Sequence, residues 1–421
     1  MKAALALCLL CWGCGARSPD ADHIVLLHRA TADGARLEDL LLGPYRARHP
    51  GMRVVQRYVQ APQPEYGRRL RAALAGDRPP DVFLLDDVDV PALERGGVLD
   101  LAPFLPRVGV DLARYDPAVL AIFRRGAAIY ALPRGYTTVL VAYNRDLLEQ
   151  AGIAPPSDDW TWDDFLGVAN RLTRDPSGDG RPRMWGVAWD RRPSFWLPWI
   201  WSGGGDVLCA DGRRASGCLD TPATIAAIRW YAGWVTSDRV SPPPYEARDW
   251  DRELVRLFVA GRVGMLTVDH SAVRDLRAAG SRLRLGFVAI PHRSGVPPVT
   301  ALYASGYAVP ALTLGRKPAV ELAAALTDSL AAAGRSEAGL ELPAVAAAAE
   351  ALAASDTLGW EAPFYRAAKH SRPGWGSRLA QWADVEAMLE DLMDQITTGG
   401  DPDPAVRATA RDLDRLLGAT R

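Results

Sequence analysis

The segment that decides the fold is residues 127–148, AAIYALPRGYTTVLVAYNRDLL. Within it, residues 139–143 form a nearly continuous apolar run, which predicts a strand buried on both faces of a mostly parallel sheet. Gly135, just before this run, can adopt backbone angles that other residues avoid. Asn144 can cap a short helix over residues 145–150. The segment therefore predicts a buried strand followed directly by a helix.

A second helix follows after a short connection. Gly152 stands where a helix C-terminus favours a left-handed residue. Thr161 and Asp164 are three residues apart and form a weaker version of the capping box, which predicts a helix over residues 162–172. An ordinary α/β crossover would explain these elements equally well, so the local pattern alone leaves the class of protein open.

Upstream of this segment, strand-like and helix-like patterns alternate with short connections. The predicted strands cover residues 23–28, 52–59 and 81–85, and the predicted helices cover residues 37–48 and 65–75 and begin again at residue 91. This order favours a mainly parallel sheet with right-handed crossovers. In such sheets ligands bind beyond the carboxyl ends of the strands. That rule selects the polar residues after the first and third strands, namely His28, Arg29, Thr31, Asp86 and Asp87.

Taken together, residues 127–165 resemble the segment that crosses from the first to the second lobe in the family 1 extracellular solute-binding proteins of ABC importers, which include the maltose-binding proteins. The resemblance extends over nearly the whole mature chain. Its other matches are residues 50–54, 80–83, 261–265, 286–291, 304–310 and 342–344.

The resemblance implies an α/β, two-lobed periplasmic-binding-protein fold of type II. Each lobe would be a mainly parallel sheet flanked by helices, and the ligand cleft would lie between the lobes. Residues 1–21 would be a signal peptide and tether. Lobe 1 would comprise residues 22–137 with 305–338, and lobe 2 residues 138–304 with 339–421.

Residues next to the two crossings could reach a ligand held between the lobes. They are Tyr136, Thr137, Tyr303 and Ser305. Residues 269–271 read Asp-His-Ser where many relatives have Gly-x-Trp, and this departure at the cleft makes His270 a candidate contact. Carboxylate and hydroxyl groups can bind sugar hydroxyls. Asp86 and Asp87 could do so from the first lobe, although their segment could equally be a solvated loop.

Tryptophan is unusually frequent, with 14 Trp against 8 Phe. Its broad apolar face with one donor suits stacking against a sugar. The densest cluster contains Phe195, Trp196 and Trp199, which would be neighbours on a helix. The resemblance implies stacking rings in this segment and at Trp375. A large Trp cluster can equally form the core of a helical lobe, and Trp375 can be a helix-packing residue.

The N-terminus is typical of an exported protein. Lys2 precedes an apolar run at residues 3–10 and a polar segment at residues 17–22, the order and length of a secretory signal that is too short to span a bilayer. Gly13 before Cys14 resembles a lipobox, which implies that Cys14 becomes the lipid-modified first residue. We therefore expect a periplasmic or extracytoplasmic protein that is lipid-anchored to the cell membrane.

Two further cysteines, Cys209 and Cys218, flank a turn-rich segment. In an exported chain such a pair predicts a structural disulfide across a hairpin, which would add about 2 to 3 kcal/mol of stability. Two free thiols are the alternative.

Composition and spacing exclude several functions. A chain of 421 residues is long enough for two lobes, and a net charge of −1 gives no electrostatic footprint for nucleic acid. The six histidines lack zinc-site spacing. Residues 175–180 imitate a calcium loop, but Gly186 stands where a bidentate Glu is needed, so we predict a turn, with a calcium site as the alternative. We expect no metal and no cofactor.

The sequence thus predicts a monomeric, lipid-anchored binding protein that captures a sugar or oligosaccharide and delivers it to the membrane subunits of an ABC importer. It is not expected to be an enzyme. One alternative keeps the fold and changes the cargo to a polyamine, a glycerol phosphodiester or a metal chelate. Another is an exported glycosidase with paired carboxylates such as Asp86 and Asp269.

Overall fold

Two β-sheets joined by crossing segments organise the chain. The computed structural model describes residues 23–175, 177–178, 182–243, 250–278 and 283–418. In this part of the chain the strands are β1 (His23–Arg29), β2 (Arg53–Val59), β3 (Val82–Asp86), β4 (Arg124–Arg125), β5 (Ala128–Ile129), β6 (Leu132–Thr138), β7 (Leu140–Asn144), β8 (Trp185–Ala188), β9 (Val263–Val268), β10 (Leu285–Val288), β11 (Thr300–Ala308), β12 (Leu342–Pro343) and β13 (Ser371–Pro373).

Helices flank both sheets. They are α1 (Ala32–Leu41), α2 (Gly43–Arg48), α3 (Gln63–Ala75), α4 (Val90–Leu93), α5 (Leu105–Val108), α6 (Pro117–Ile122), α7 (Arg145–Gln150), α8 (Trp162–Leu172), α9 (Pro193–Ser202), α10 (Pro222–Gly233), α11 (Trp250–Val259), α12 (Ala272–Ala278), α13 (Arg316–Leu326), α14 (Ser329–Glu337), α15 (Ala346–Ala354), α16 (Ala362–Ala368), α17 (Trp382–Thr397) and α18 (Pro402–Gly418). Among the described residues, no helix has the length and apolar character needed to cross a membrane.

The predicted helix signals are confirmed. The Asn144 side chain accepts hydrogen bonds from two backbone amides at the start of α7, and Gly152 has a φ of 63°. Thr161 and Asp164 form a reciprocal capping box at the start of α8.

The large sheet has the strand order β12-β6-β11-β3-β1-β2, with β13 paired to β11. Strands β1, β2 and β3 are parallel, whereas β11 runs antiparallel to β3 and β6. The two-lobed fold is confirmed, but the sheet is mixed rather than mainly parallel. The chain returns from the other lobe through β11. This strand therefore crosses the large sheet in the direction opposite to β3 and β6.

The small sheet has the order β10-β7-β9-β8. Its β7 is antiparallel to both β9 and β10, and only β8 pairs with β9 in parallel. The predicted strand at residues 139–143 is β7, and all five of its residues are buried.

Three segments meet where the sheets join. Thr138 pairs with Leu302 in the large sheet, and two residues later Leu140 pairs with Val268 in the small sheet. The Thr300 hydroxyl donates to the carbonyl of Val139 at 2.5 Å, which ties the two crossing strands together. Strand β13 lies beside the start of β11 as the third segment.

The predicted end of lobe 1 at residue 338 disagrees with the strand pairing of the large sheet. Strand β12 pairs with β6 in the large sheet, and α15 packs against β12 and α14. The chain stays with the large sheet until β13, because the side chains of residues 342–345 complete its core. Helices α17 and α18 then pack against α10 of the second lobe. The remaining lobe assignments stay predictions.

The second lobe has a tryptophan-rich core. Trp162 and Trp230 stack with ring centroids 4.0 Å apart, and Trp199 meets Trp234 edge-on at 4.6 Å. Phe165 packs against both rings of the latter pair. Much of the Trp excess is therefore explained by packing.

The predicted disulfide joins Cys209 and Cys218, whose Cα atoms are 5.3 Å apart. Its loop is held from outside, because the Asp414 carboxylate of α18 accepts hydrogen bonds from the amides of Ala215 and Ser216. Cys14 and the predicted signal peptide lie outside the described residues.

Candidate ligand-binding cleft

A row of polar side chains lies on one face of the large sheet, near its junction with the small sheet. Ser305 is paired with Gly135 on one side and with Asp86 on the other, and Tyr303 is paired with Thr137. Directly paired residues on neighbouring strands present their side chains to the same face. The structure therefore brings together four predicted site residues from three separate strands.

This face is turned toward the second lobe. The Tyr303 hydroxyl donates to the carbonyl of Ser194, at the start of α9, at 2.8 Å. The Thr137 hydroxyl accepts from the backbone amide of His270, just after β9, at 2.7 Å. Since Ser194 and His270 belong to elements around the small sheet, the row lies where the two lobes meet.

Glu341 completes this row, and the sequence reasoning missed it. Its Oε2 accepts from Arg134 at 2.5 Å and from the Ser305 hydroxyl at 3.5 Å. A Cβ atom on Gly135 would lie 2.2 Å from the Glu341 Cδ, so only glycine lets this carboxylate lie across β6. We call Asp86, Gly135, Thr137, Tyr303, Ser305 and Glu341 the polar floor. The signal available in the sequence was the position of Glu341 directly before the matched segment at 342–344.

Two carboxylates of the floor carry oxygens without partners. Asp86 is 5% exposed and Glu341 is 8% exposed. Among the described residues, the Asp86 Oδ2 and the Glu341 Oε1 have no hydrogen-bond partner. Arg29 lies 3.4 Å from the other oxygen of Asp86. Burial raises the pKa of Glu341, against the effect of Arg134. Unpartnered buried acceptors are costly, and they suit a ligand rich in hydroxyl donors.

Asp87 lies beside the floor in a turn that follows β3. It is 4% exposed, and its Oδ1 accepts from the amide of Val88 at 2.9 Å. Its Oδ2 has no partner within the described residues. Burial, followed by the neighbouring Asp86, raises the pKa of Asp87 well above its ordinary value. Burial and Asp86 also raise the pKa of Asp89 to about 6, although Arg71 pairs with Asp89 at 2.5 Å.

A buried ion-pair network lies beside the floor on the same face of the large sheet. Both oxygens of Glu38 accept from the fully buried Arg335, at 2.7 and 2.8 Å. Arg134 reaches Glu38 at 3.3 Å as well as Glu341. Burial opposes ionisation of Glu38, but Arg335 outweighs it and holds the pKa of Glu38 well below its ordinary value. The network fixes Arg134, and through it Glu341.

His28 lies close to this network. Its ring is buried and its Nε2 lies 2.9 Å from the Gln56 Oε1. Burial lowers the pKa of His28, so the neutral ring is favoured. The ring is 1% exposed, and a ligand contact by His28 stays a prediction.

The predicted stacking rings of α9 lie mainly in the core. Trp196 and Trp199 are fully buried, and the Trp196 indole donates to the carbonyl of Arg191 at 2.9 Å. Both rings belong to the second-lobe core, where Trp199 packs against Trp230 and Trp234, and stacking of either ring against a ligand stays a prediction. Phe195 is half-buried, and the guanidinium of Arg192 lies 4.1 Å from its ring centroid.

Three other candidates also have structural roles. The Trp375 indole is 5% exposed and donates to Asp206 at 2.8 Å. Tyr136 is buried and pairs with Ala304, so it points to the face opposite the polar floor. The His270 ring is buried against Phe364 and hydrogen-bonds the Glu361 carboxylate.

No metal centre emerges from the part of the chain that the structure describes, because no three His, Cys, Asp or Glu residues cluster suitably there. In the calcium-like segment, Asp175 accepts a hydrogen bond from the amide of Gly178 at 2.9 Å, as in a turn. Residues 176 and 179–181 lie outside the described residues.

The two lobes and the polar floor between them define a ligand-binding protein. Residues 30–315 match the sequence model of the family described as bacterial extracellular solute-binding protein. The match covers more than half of the chain, so the chain belongs to this family, and the resemblance found in the sequence is confirmed.

Two curated relatives match part of the chain. An uncharacterized lipoprotein in the oleD 5′ region of Streptomyces antibioticus is 30% identical over 194 residues, which cover 44% of this chain and 40% of the relative. The diacetylchitobiose binding protein DasA of Streptomyces coelicolor is 24% identical over 200 residues, 47% of this chain and 44% of the relative. The chain thus matches less than half the length of either relative.

Solved structures share the fold over nearly the whole chain. An ABC substrate-binding protein from Listeria monocytogenes, in complex with cycloalternan, has a TM-score of 0.82 and 18% identity, covering 94% of this chain and 99% of that one. UgpB from Mycobacterium tuberculosis, in complex with glycerophosphocholine, has a TM-score of 0.77 and 23% identity, covering 94% and 98%.

Proposed function

We propose that this protein captures a sugar or oligosaccharide in the cleft and delivers it to the membrane subunits of an ABC importer. The observation that carries the proposal is the polar floor. Its two buried carboxylates offer unpartnered oxygens beside the Ser305 hydroxyl. Carboxylates can accept two hydrogen bonds from adjacent donors, which matches the neighbouring hydroxyls of a sugar.

Membership of the solute-binding family supports this proposal. The relative named for diacetylchitobiose and the structure bound to cycloalternan show that carbohydrate ligands occur among similar proteins. Closure of the lobes about the three segments at the junction would bury the ligand, and the ligand would shift the population toward the closed form. We further propose that the protein is exported, that Cys14 carries the lipid anchor and that the chain acts as a monomer.

A thermal-shift screen of the purified protein tests the cargo. The panel contains mono- and oligosaccharides, polyamines and glycerol phosphodiesters. We expect stabilisation by a saccharide that rises with its concentration as mass action requires, with no breakdown of the saccharide by chromatography. A response to polyamines or phosphodiesters alone would overturn the carbohydrate assignment. Turnover of a saccharide would instead favour the glycosidase hypothesis.

A further inference from the structure

Two leucines protrude from the loop that follows β11. Leu312 is 86% exposed and Leu314 is 80% exposed, the largest fractions for any large hydrophobic residue in the described part of the chain. Thr313 between them is buried, so the two leucines share the outer side of the loop. Single exposed apolar side chains are common on protein surfaces, but a neighbouring pair this exposed is a sign of an interaction surface.

Hydrogen bonds hold this loop in its shape. The Arg316 guanidinium group donates to the carbonyls of Thr313 and Ala311, at 3.3 and 3.2 Å. The Thr313 amide donates to the carbonyl of Pro310 at 3.1 Å, and the Ala311 amide donates to the carbonyl of Gly97 at 3.3 Å. The exposure of the two leucines therefore belongs to a fixed backbone conformation.

Exposed cations border the leucine pair. Arg316 and Lys317 open α13 and are both exposed. Lys317 lies 3.8 Å from Glu321, whereas the described ion pairs include none for Arg316. Arg48 ends α2, which packs against α13, and this arginine is also exposed and absent from the described ion pairs. The loop thus combines an apolar tip with a cationic border.

The loop lies at the edge of the large sheet where the described chain begins. Strand β11 runs antiparallel to β3, with Ala308 paired to Phe83. Strand β1 runs parallel to β3, with Leu27 paired to the same Phe83. The end of β11 and the start of β1 at His23 therefore share one edge of the sheet. The polar floor lies toward the opposite edge, because it includes the last residue of β3, Asp86.

The proposed lipid anchor keeps this edge near a bilayer. Eight residues separate Cys14 from His23, and a chain of that length spans no more than about 30 Å even when fully extended. Such a short connection gives the edge a high effective concentration at the membrane surface.

We infer that this edge of the first lobe rests on an anionic lipid bilayer, with Leu312 and Leu314 inserted at the boundary between headgroups and acyl chains, and with Arg316 and Lys317 against the lipid phosphates. This inference rests on the proposed lipid anchor at Cys14. Burial of apolar side chains and attraction of cations to anionic lipid act together in contacts of this kind. The cleft, on the other side of the sheet, then faces away from the bilayer and stays accessible to a ligand.

Amine labelling of the anchored protein tests the inference, because Lys317 and Lys369 are the only lysines after the predicted signal peptide. Both are exposed. Lys369 is the internal control, since its neighbour Ser371 pairs with Thr300 at the far end of β11. The protein is purified from the membrane fraction of expressing cells and inserted into vesicles of phosphatidylcholine, with or without phosphatidylglycerol.

Mass spectrometry then gives the labelling rate of Lys317 relative to Lys369. We expect this ratio to fall about fivefold or more when phosphatidylglycerol is present, since each Lys or Arg near an anionic surface favours the bound state by about this factor. Equal ratios in the two kinds of vesicle would overturn the inference. Protection of Lys317 in native membranes alone would also overturn it and assign this edge to a membrane protein.

Matched leucine substitutions separate apolar insertion from charge. Leu312→Ser combined with Leu314→Ser should restore most of the labelling of Lys317 in the anionic vesicles. Leu330→Ser, at a residue on α14 that is 61% exposed, should leave the protection unchanged. Equal protection in all three proteins would contradict insertion of the leucine pair.

Two further readouts on the same preparation keep the proposals distinguishable. An N-terminal peptide without lipid on Cys14 would overturn the proposed anchor and this inference together. The thermal shift with saccharides tests the carbohydrate function separately, because the leucine pair lies far from the polar floor, and we expect the double serine variant to keep the wild-type response.

Discussion

The polar floor and the aromatic helix α9 both lie at the junction of the two sheets, but their conspicuous side chains serve different purposes. The floor is assembled from one or two residues on each of β3, β6 and β11 and from Glu341. In α9 the conspicuous rings of Trp196 and Trp199 point away into the second-lobe core. The contrast shows that the densest sequence cluster served packing, whereas the candidate site comes from residues that strand pairing brings together.

Both regions contain buried polar atoms without partners, but of different kinds. The Trp196 indole donates to a backbone carbonyl inside its own lobe, whereas the Trp199 indole nitrogen has no partner among the described residues. On the floor, Asp86 and Glu341 retain unpartnered oxygens. A buried carboxylate without a partner costs more than a neutral indole without one, so the floor acceptors are the stronger sign of a ligand.

The largest expected effect is the loss of stability when an aromatic ring of α9 is removed. Trp199→Ala should lower the free energy of unfolding by about 3 to 5 kcal/mol, because it leaves a cavity among tightly packed rings. Ligand affinity of the folded fraction should change little. Urea unfolding and titration calorimetry measure the two quantities, and half-buried Phe195→Ala is the control with a smaller stability loss. A normal unfolding curve with lost binding would instead restore Trp199 as a stacking platform.

The ion-pair network beside the floor should respond nearly as strongly. Glu38→Gln leaves Arg335 buried with a reduced partner, and breaking a buried ion pair costs about 3 to 5 kcal/mol. Because the pKa of Glu38 is lower in the folded protein than its ordinary 4.5, the contribution of the pair is fully present above that value. It is lost as the pH falls below 4.5 toward the folded pKa.

Unfolding free energies measured along this pH range check the prediction. The difference between the wild type and Glu38→Gln should be largest near neutral pH and should narrow in acid. Exposed Asp39→Asn, in the same helix, serves as the control and should show a much smaller difference. A gap that stays constant across the range would contradict the assigned role of Glu38.

Much of this architecture could be predicted from local sequence. The caps at Asn144 and Thr161 act within three residues, so their patterns predicted α7 and α8 directly. The buried strand β7 was equally visible because both of its faces are apolar. The rule for the carboxyl ends of parallel strands selected Asp86 and Asp87 at the end of β3 as candidates.

The parts that escaped prediction depend on distant pairings. Glu341 reaches the floor because Gly135, about 200 residues earlier, has no side chain to block it. His28 satisfied the carboxyl-end rule, but its buried ring lies beside Gln56 and close to Glu38. Burial of the α9 rings depends on Phe165 and Trp234, which come from α8 and the end of α10. None of these relations is local in sequence.

The close approach of Glu341 to Gly135 predicts a loss of stability of intermediate size. In Gly135→Ala the new methyl group would overlap the Glu341 side chain, and such overpacking costs about 1 to 3 kcal/mol. We expect this loss together with weaker binding of the saccharide that stabilises the wild type most. Gly167→Ala is the matched control, since nothing lies within 4 Å of its added Cβ in α8, and it should be neutral or slightly stabilising.

The smallest expected effect isolates the floor as a binding surface. Ser305→Ala removes a hydroxyl that lies 3.5 Å from the Glu341 Oε2, and one neutral hydrogen bond contributes about 0.5 to 1.5 kcal/mol. Affinity for the stabilising saccharide should therefore fall about two- to tenfold, while the unfolding midpoint stays nearly constant. Titration calorimetry and urea unfolding on the same preparation separate the two quantities.

Thr173→Val is the control, because this residue is remote from the floor and its described hydrogen bonds lie within its own lobe. We expect this variant to lose stability and to keep its affinity for the saccharide. If Ser305→Ala instead destabilised the fold and left affinity intact, the floor would be a structural element and the site would have to lie elsewhere in the cleft.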